Sequence, residues 1–238
     1  MSRTSLSSYA PSRSKNHNGA RALSKAQERK AVEYIEDSFL DISSAFKKRS
    51  EPSMSRLPTL TSYLDAQQHL LAFILQIPPM DPSTPLRITF LLRLTGDVMN
   101  SILGYPPDIN DLRQLLDFLD HLDQAWIAVL RSQAWDPSTG KGVDLIVPVD
   151  ELDRDSIPIR SSTMSQTERT RLRSLLVTGT AGLEEWLAGL DTGGEDYPLV
   201  LDRAGLLQGF NDLFTSTLAE IGSFSGPSND PAGMQGTC

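Results

Sequence analysis

Two stretches bring together side chains that could do chemistry. The run Ser138-Thr139-Gly140-Lys141-Gly142 carries the Gly-Lys pair of a phosphate-binding loop. Such a loop needs a glycine five residues before the Gly-Lys and a hydroxyl residue after the lysine, to hold magnesium. Trp135 and Gly142 stand at those positions, and a helical pattern rather than a strand comes before. The run reads as an ordinary turn after a helix. The second stretch is Asp117, Asp120, His121 and Asp123. Asp117 and His121, four residues apart, share a helix face and could chelate one metal ion. At about 100° per residue, His121 lies about 200° round the helix from Leu119, the middle of the apolar stripe. The cluster is therefore expected on a solvated acidic face.

Nucleophilic chemistry finds less support. There is no Gly-x-Ser-x-Gly elbow, the only cysteine is Cys238, and the histidines are His17, His69 and His121. Glu184-Glu185 and Glu195-Asp196 are sequence neighbours, and nothing in the pattern drives their pKa values apart. The sequence thus assigns no catalytic, cofactor-binding or metal-binding residue and implies no cofactor. An enzyme or ligand-binding protein with an apolar pocket between helices is the least favoured of three readings.

Charge is more informative. The net −8 resolves into +5 over residues 1–56 and −13 over residues 57–238. Residues 1–30 alone hold seven basic side chains and one acid, Glu28. A basic arm on an acidic body suits nucleic acid, acidic lipid or an acidic partner, or a solvated tail without a target. The acidic body argues against duplex DNA lying across it. Arg13, Lys15, Arg21 and Lys25 are the candidate anion contacts of the arm. Arg169, Arg171 and Arg173 form a second group, where positive charge opposes the dipole of a helix start. The arm has the Ser/Arg composition of a transit peptide, but Pro11 and Asn16-His17-Asn18-Gly19 interrupt any amphipathic helix. With no apolar signal core and no membrane-length run, the expected location is intracellular: nucleus or cytoplasm before mitochondrion.

The elements that would position these groups are helices. Residues 1–23 are expected to be a disordered basic arm. Ser24 with Gln27 makes a capping box that opens a helix over 24–48, with Ile35, Phe39, Ile42 and Phe46 in a stripe. Residues 49–61 read as a linker. A second helix is expected from a Ser62 cap to about Gln76, before Pro78-Pro79. Thr84 and Pro85 open a third that ends at Gly104, and a fourth runs from Asp108 or Asn110 to about Ala134. The short loops predict antiparallel neighbours. Residues 135–164 break the pattern: a turn, a β-branched run with no strand to pair with, and an acidic stretch. Ser165 with Glu168 opens a fifth helix to about Leu190, interrupted by Gly179 and Gly182. These glycines either admit a neighbouring helix or mark a break. A sixth helix is expected over about 201–223, with a disordered tail at 224–238.

The expected fold is all-α: an irregular antiparallel bundle of about five helices over about 60–223, plus the first helix and disordered termini. The first helix either packs on that core or offers its stripe of Ile35, Phe39, Ile42 and Phe46 to another protein. Trp135, beside the long loop, is the aromatic most suited to a partner surface. The favoured function is a non-enzymatic interaction protein, an adaptor or complex subunit contacting partners through helix 24–48 and loop 135–164. A nucleic-acid-associated regulatory factor using the basic arm is the alternative. The oligomeric state and the partner are not legible.

Overall fold

The chain is seen in a computed structural model that describes residues 22–51, 55–145 and 163–223. The arm contacts Arg13, Lys15 and Arg21, the acidic stretch after Asp144 and the tail from 224 lie outside the described residues.

Helix starts obey local hydrogen-bond chemistry. Helix α1, Lys25–Lys47, opens on Ser24 and Gln27: the Gln27 amide donates to Ser24 Oγ (3.3 Å), and the Ser24 amide donates to Gln27 Oε1 (2.9 Å). Helix α2, Leu60–Leu75, is capped by Thr59 with Ser62, not by Ser62 with Asp65. It starts earlier than expected because Leu60, Tyr63 and Leu64 are all buried on its core face. Helix α3, Thr84–Ile102, has Pro85 in its first turn, so Thr84 is helical and Ser83 stands before it.

Helix α4, Leu112–Leu130, is shorter at both ends than its pattern suggested. Beyond it Ser132 turns left-handed (φ 55°), Gln133 N donates to Ala128 O (2.8 Å), and Ser132 N donates to Val129 O (3.1 Å). This is the closing motif usually built on glycine, here on a serine, and it stops the helix four residues early.

A second correction concerns residues 134–143, which form a hairpin rather than a turn beside an unpaired run. β1, Ala134–Asp136, pairs antiparallel with β2, Lys141–Val143, in the register Trp135 opposite Gly142. The turn between them is 137–140. Gly140 supplies the left-handed φ (+64°) and donates its amide to Asp136 O (2.9 Å). The Asp136 carboxylate accepts from Ser138 N, Ser138 Oγ and Thr139 Oγ1, bonds that hold its pKa below the usual carboxylate range. The Gly-Lys run is thus a self-satisfied hairpin turn.

Helix α5, Gln166–Leu187, begins on the Ser165–Glu168 box and runs unbroken through Gly179 and Gly182. The expected sixth helix is three short ones: α6, Tyr197–Arg203, α7, Leu207–Asn211, and α8, Thr215–Ser223. Gly205 (φ +68°) and Phe214 (φ 57°) break it, each in the left-handed region.

One apolar cluster spans these elements from Ile35 to Ile221. α2 packs against both α3 and α4, α5 lies on α3, and α8 lies on α4. Gly96 faces Leu175, Gly179 faces Met99 and Gly182 faces Leu103. That register rises along both chains, so α3 and α5 run parallel, which the long connection through α4 permits. A Cβ at Gly179 would collide with the Met99 side chain, so the glycine admits the neighbour rather than breaking the helix.

The end of α4 is tied to α8 by Arg131, whose Nε and Nη2 donate to the two oxygens of Glu220 (3.2 and 2.9 Å). Arg131 holds the Glu220 pKa below its ordinary value, so the pair stabilises the fold above about pH 4.3 and loses that contribution as pH falls further. Glu220→Gln is expected to flatten the fall in the urea midpoint between neutral and acid pH. An unchanged slope would mean that the pair makes no contribution.

Candidate interaction surface

The apolar stripe of α1 is used within the chain. Ile35 and Phe39 are 0% and 1% exposed, and Ile42 and Phe46 are half-buried against the same core. Phe39 packs on Phe90 with ring centres 6.2 Å apart, and Phe46 meets Tyr63 and Tyr105. Polar contacts lock the same docking. Arg93 reaches Glu36 at 2.5 Å while stacking on Phe39, and Arg49 donates from Nε to Gly104 O (2.8 Å). A Cβ at Gly104 would stand 2.7 Å from Phe46, so this approach needs glycine at the end of α3. Trp186 Nε1 donates to Tyr105 O (2.7 Å), which brings α5 into the corner. Ile35, Phe39, Ile42 and Phe46 are therefore not a free partner-binding stripe. A tethered helix meets an apolar surface of its own chain at high effective concentration, and a lone helix of this length is marginal in water.

What α1 offers outward is its other face. Tyr34 is 53% and Leu40 68% exposed, among the exposed acids Glu33, Glu36, Asp37 and Asp41. Tyr34 packs on Phe73 (4.4 Å) and forms one wall of a groove of about 250 Å³ between α1 and α2. Ile42, Ala45, Leu57, Ala66 and Leu70 give that groove apolar lining, and Asp41, Arg56 and His69 give it polar lining. Asp41 and Arg56 pair at 3.3 Å, and His69 Nδ1 donates to Asp65 O (2.7 Å).

The other candidates divide. Trp135 is half-buried in β1 and packs on the core, while Val143 in β2 is 49% exposed. Lys25 is exposed in the first turn of α1. Arg169 is 7% exposed and donates from Nε to Met164 O (3.0 Å), so it is a structural arginine rather than an anion contact. It lies three residues before Leu172, on the buried face of α5. Arg171 and Arg173 are exposed but about 200° apart on the helix, so the three do not form one patch.

Asp117, Asp120 and His121 face solvent as expected, but Asp123 does not: it is 6% exposed. Its carboxylate accepts from Thr217 N (3.1 Å) and its carbonyl from Thr217 Oγ1 (3.2 Å). Asp123 caps α8 from another helix, satisfying an amide that α8 cannot satisfy itself. Helical geometry accounts for this burial, since position 123 is only about 40° from Leu119. Among the described residues no three His, Cys, Asp or Glu side chains are placed to hold a metal ion, and no helix is long and apolar enough to cross a membrane.

The chain matches no family model, no curated protein and no solved structure. The functional reading therefore rests on this surface alone.

Proposed function

We propose that the chain is a non-enzymatic interaction protein, an adaptor or complex subunit, that meets its partner through the outer face of α1 and the hairpin 134–143. The observation that carries this is the groove between α1 and α2, with Tyr34 and Leu40 exposed in acidic surroundings. Two large apolar side chains standing out from an acidic helix face suit a basic segment that carries apolar side chains of its own. The arginine pair Tyr34→Arg, Leu40→Arg halves the negative charge of that face and removes both exposed apolar side chains, with the Tyr34–Phe73 ring contact as the one packing interaction lost. Affinity recovery from the native cell should lose specific partners with this variant, while Leu40→Arg alone, at a side chain 68% exposed, weakens recovery at an unchanged melting temperature. Recovery of the same proteins by variant and parent would overturn the reading.

A second reading has its own observation. Lys25, Arg29 and Lys30 are exposed and continue the basic arm onto the start of α1. A nucleic-acid-associated factor would bind with steep salt dependence, lost on neutralising Arg3, Arg13, Lys15, Arg21 and Lys25. Salt-insensitive binding, or none, would remove it. The pocket reading gains nothing comparable, because Leu91, Leu94, Val98 and Trp126 are fully buried side chains filling the space among α2 to α5. A nuclear or cytoplasmic location belongs to the same proposal.

A further inference from the structure

The start of α3 gathers three buried polar side chains: Ser83, Thr84 and Arg87, at 0%, 5% and 1% exposure. Ser83 is fully occupied in joining α1 to α3. Its Oγ accepts from Leu23 N (3.0 Å) and donates to the Glu28 carboxylate (3.3 Å). Arg87 is only partly occupied. Its Nη1 donates to Gln133 O (2.8 Å), just past the end of α4, whereas Nε and Nη2 have no hydrogen-bond partner. Thr84 Oγ1, three residues earlier on the same helix, has none either.

The pattern of what is satisfied is specific. Nε and Nη2 carry the two parallel N–H bonds along one edge of the guanidinium, the edge that receives both oxygens of a carboxylate side-on. The group that is bonded, Nη1, is the one that this edge does not use. A guanidinium so deeply buried is costly unless its charge is met, and burial draws its pKa down, to about 10, which leaves it charged at neutral pH. Position 87 continues the apolar stripe of Leu91 and Leu94, where leucine or methionine would pack without that cost. One cation, with one free bidentate edge and a hydroxyl beside it, fits one monoanionic carboxylate. A phosphate dianion would need a second positive group.

We propose that the Nε/Nη2 edge of Arg87, with the Thr84 hydroxyl, is a binding site for the carboxylate of a small organic acid. At 1% exposure the edge is out of reach of a protein surface. A small acid enters by local opening of its cover, which includes Gln133 at the root of the two-stranded hairpin. The site is separate from the groove between α1 and α2, so neither proposal depends on the other.

The test uses the full chain and acetate as probe, at constant ionic strength against chloride, with inorganic phosphate as a second arm. Saturating acetate should raise the melting midpoint of the parent by about 5 °C. It should also shift the Arg87 Nε–H resonance, assigned through its own backbone, along a saturable curve. Arg87→Lys keeps the charge but loses the edge, Arg87→Met loses both, and neither should respond. An equal response in all three proteins, or none in the parent, overturns the site. A response to phosphate alone overturns the assignment to a carboxylate. Should both variants fail to fold, the resonance of the parent alone decides.

Discussion

Phe39→Ala is expected to destabilise the whole folded body by about 3–5 kcal/mol, rather than merely to free its first helix. Phe39 is 1% exposed, with Phe90 on one side and the Arg93 guanidinium 4.1 Å over its ring. Truncation removes an aromatic from a packed site and leaves a cavity between α1 and α3 that neither helix can close, because Leu23–Ser83 and Arg49–Gly104 hold α1 at both ends. Urea unfolding should stay a single transition with a lower midpoint. Two separate transitions, with the α2–α8 body unaffected, would mean that α1 is an appendage.

Trp126→Ala should cost a similar amount, about 3–5 kcal/mol, where α4 meets α3. Trp126 is 0% exposed, and its Nε1 donates to Thr95 Oγ1 (3.0 Å). The Thr95 hydroxyl in turn donates to Leu91 O (2.8 Å), so it keeps one partner when the indole is removed. Trp126→Phe separates the two contributions: it preserves much of the volume and should lose only the hydrogen bond and a smaller cavity, about 1–2 kcal/mol. If the phenylalanine and alanine variants were equally destabilised, packing would not be the main contribution of this side chain. Midpoints from urea titration at constant slope read all three proteins.

Much of the architecture was legible from caps and periods. The Ser24 and Ser165 boxes start their helices at the expected residue, because each is a closed local exchange of hydrogen bonds that needs no tertiary partner. Features that depend on distant residues were less so. The hairpin escaped because each strand has three residues, too few to show a period of two, and its stability comes from packing on α4. The break at Phe214 escaped because a left-handed phenylalanine carries no sequence signal, unlike Gly205. Asp123 and Arg87 could have been found. Both sit on apolar helix faces, where a charged residue must have a partner or a use, and helical spacing alone places them there. The stripe of α1 was legible as apolar, but its occupant was not: whether α2 and α3 or another protein covers it depends on shapes that only the folded chain displays.

α1 folds as part of the domain, with its apolar stripe buried in the core and its acidic face outward. Native-state hydrogen exchange of the full chain measures this most directly. The amides of Ile35, Phe39 and Ile42 should exchange with the same opening free energy as core amides of α3 and α4, and lose that protection together with them in Phe39→Ala. Exchange of the α1 amides on the timescale of a frayed helix, while α3 and α4 stay protected, would mean that α1 is not docked on the core.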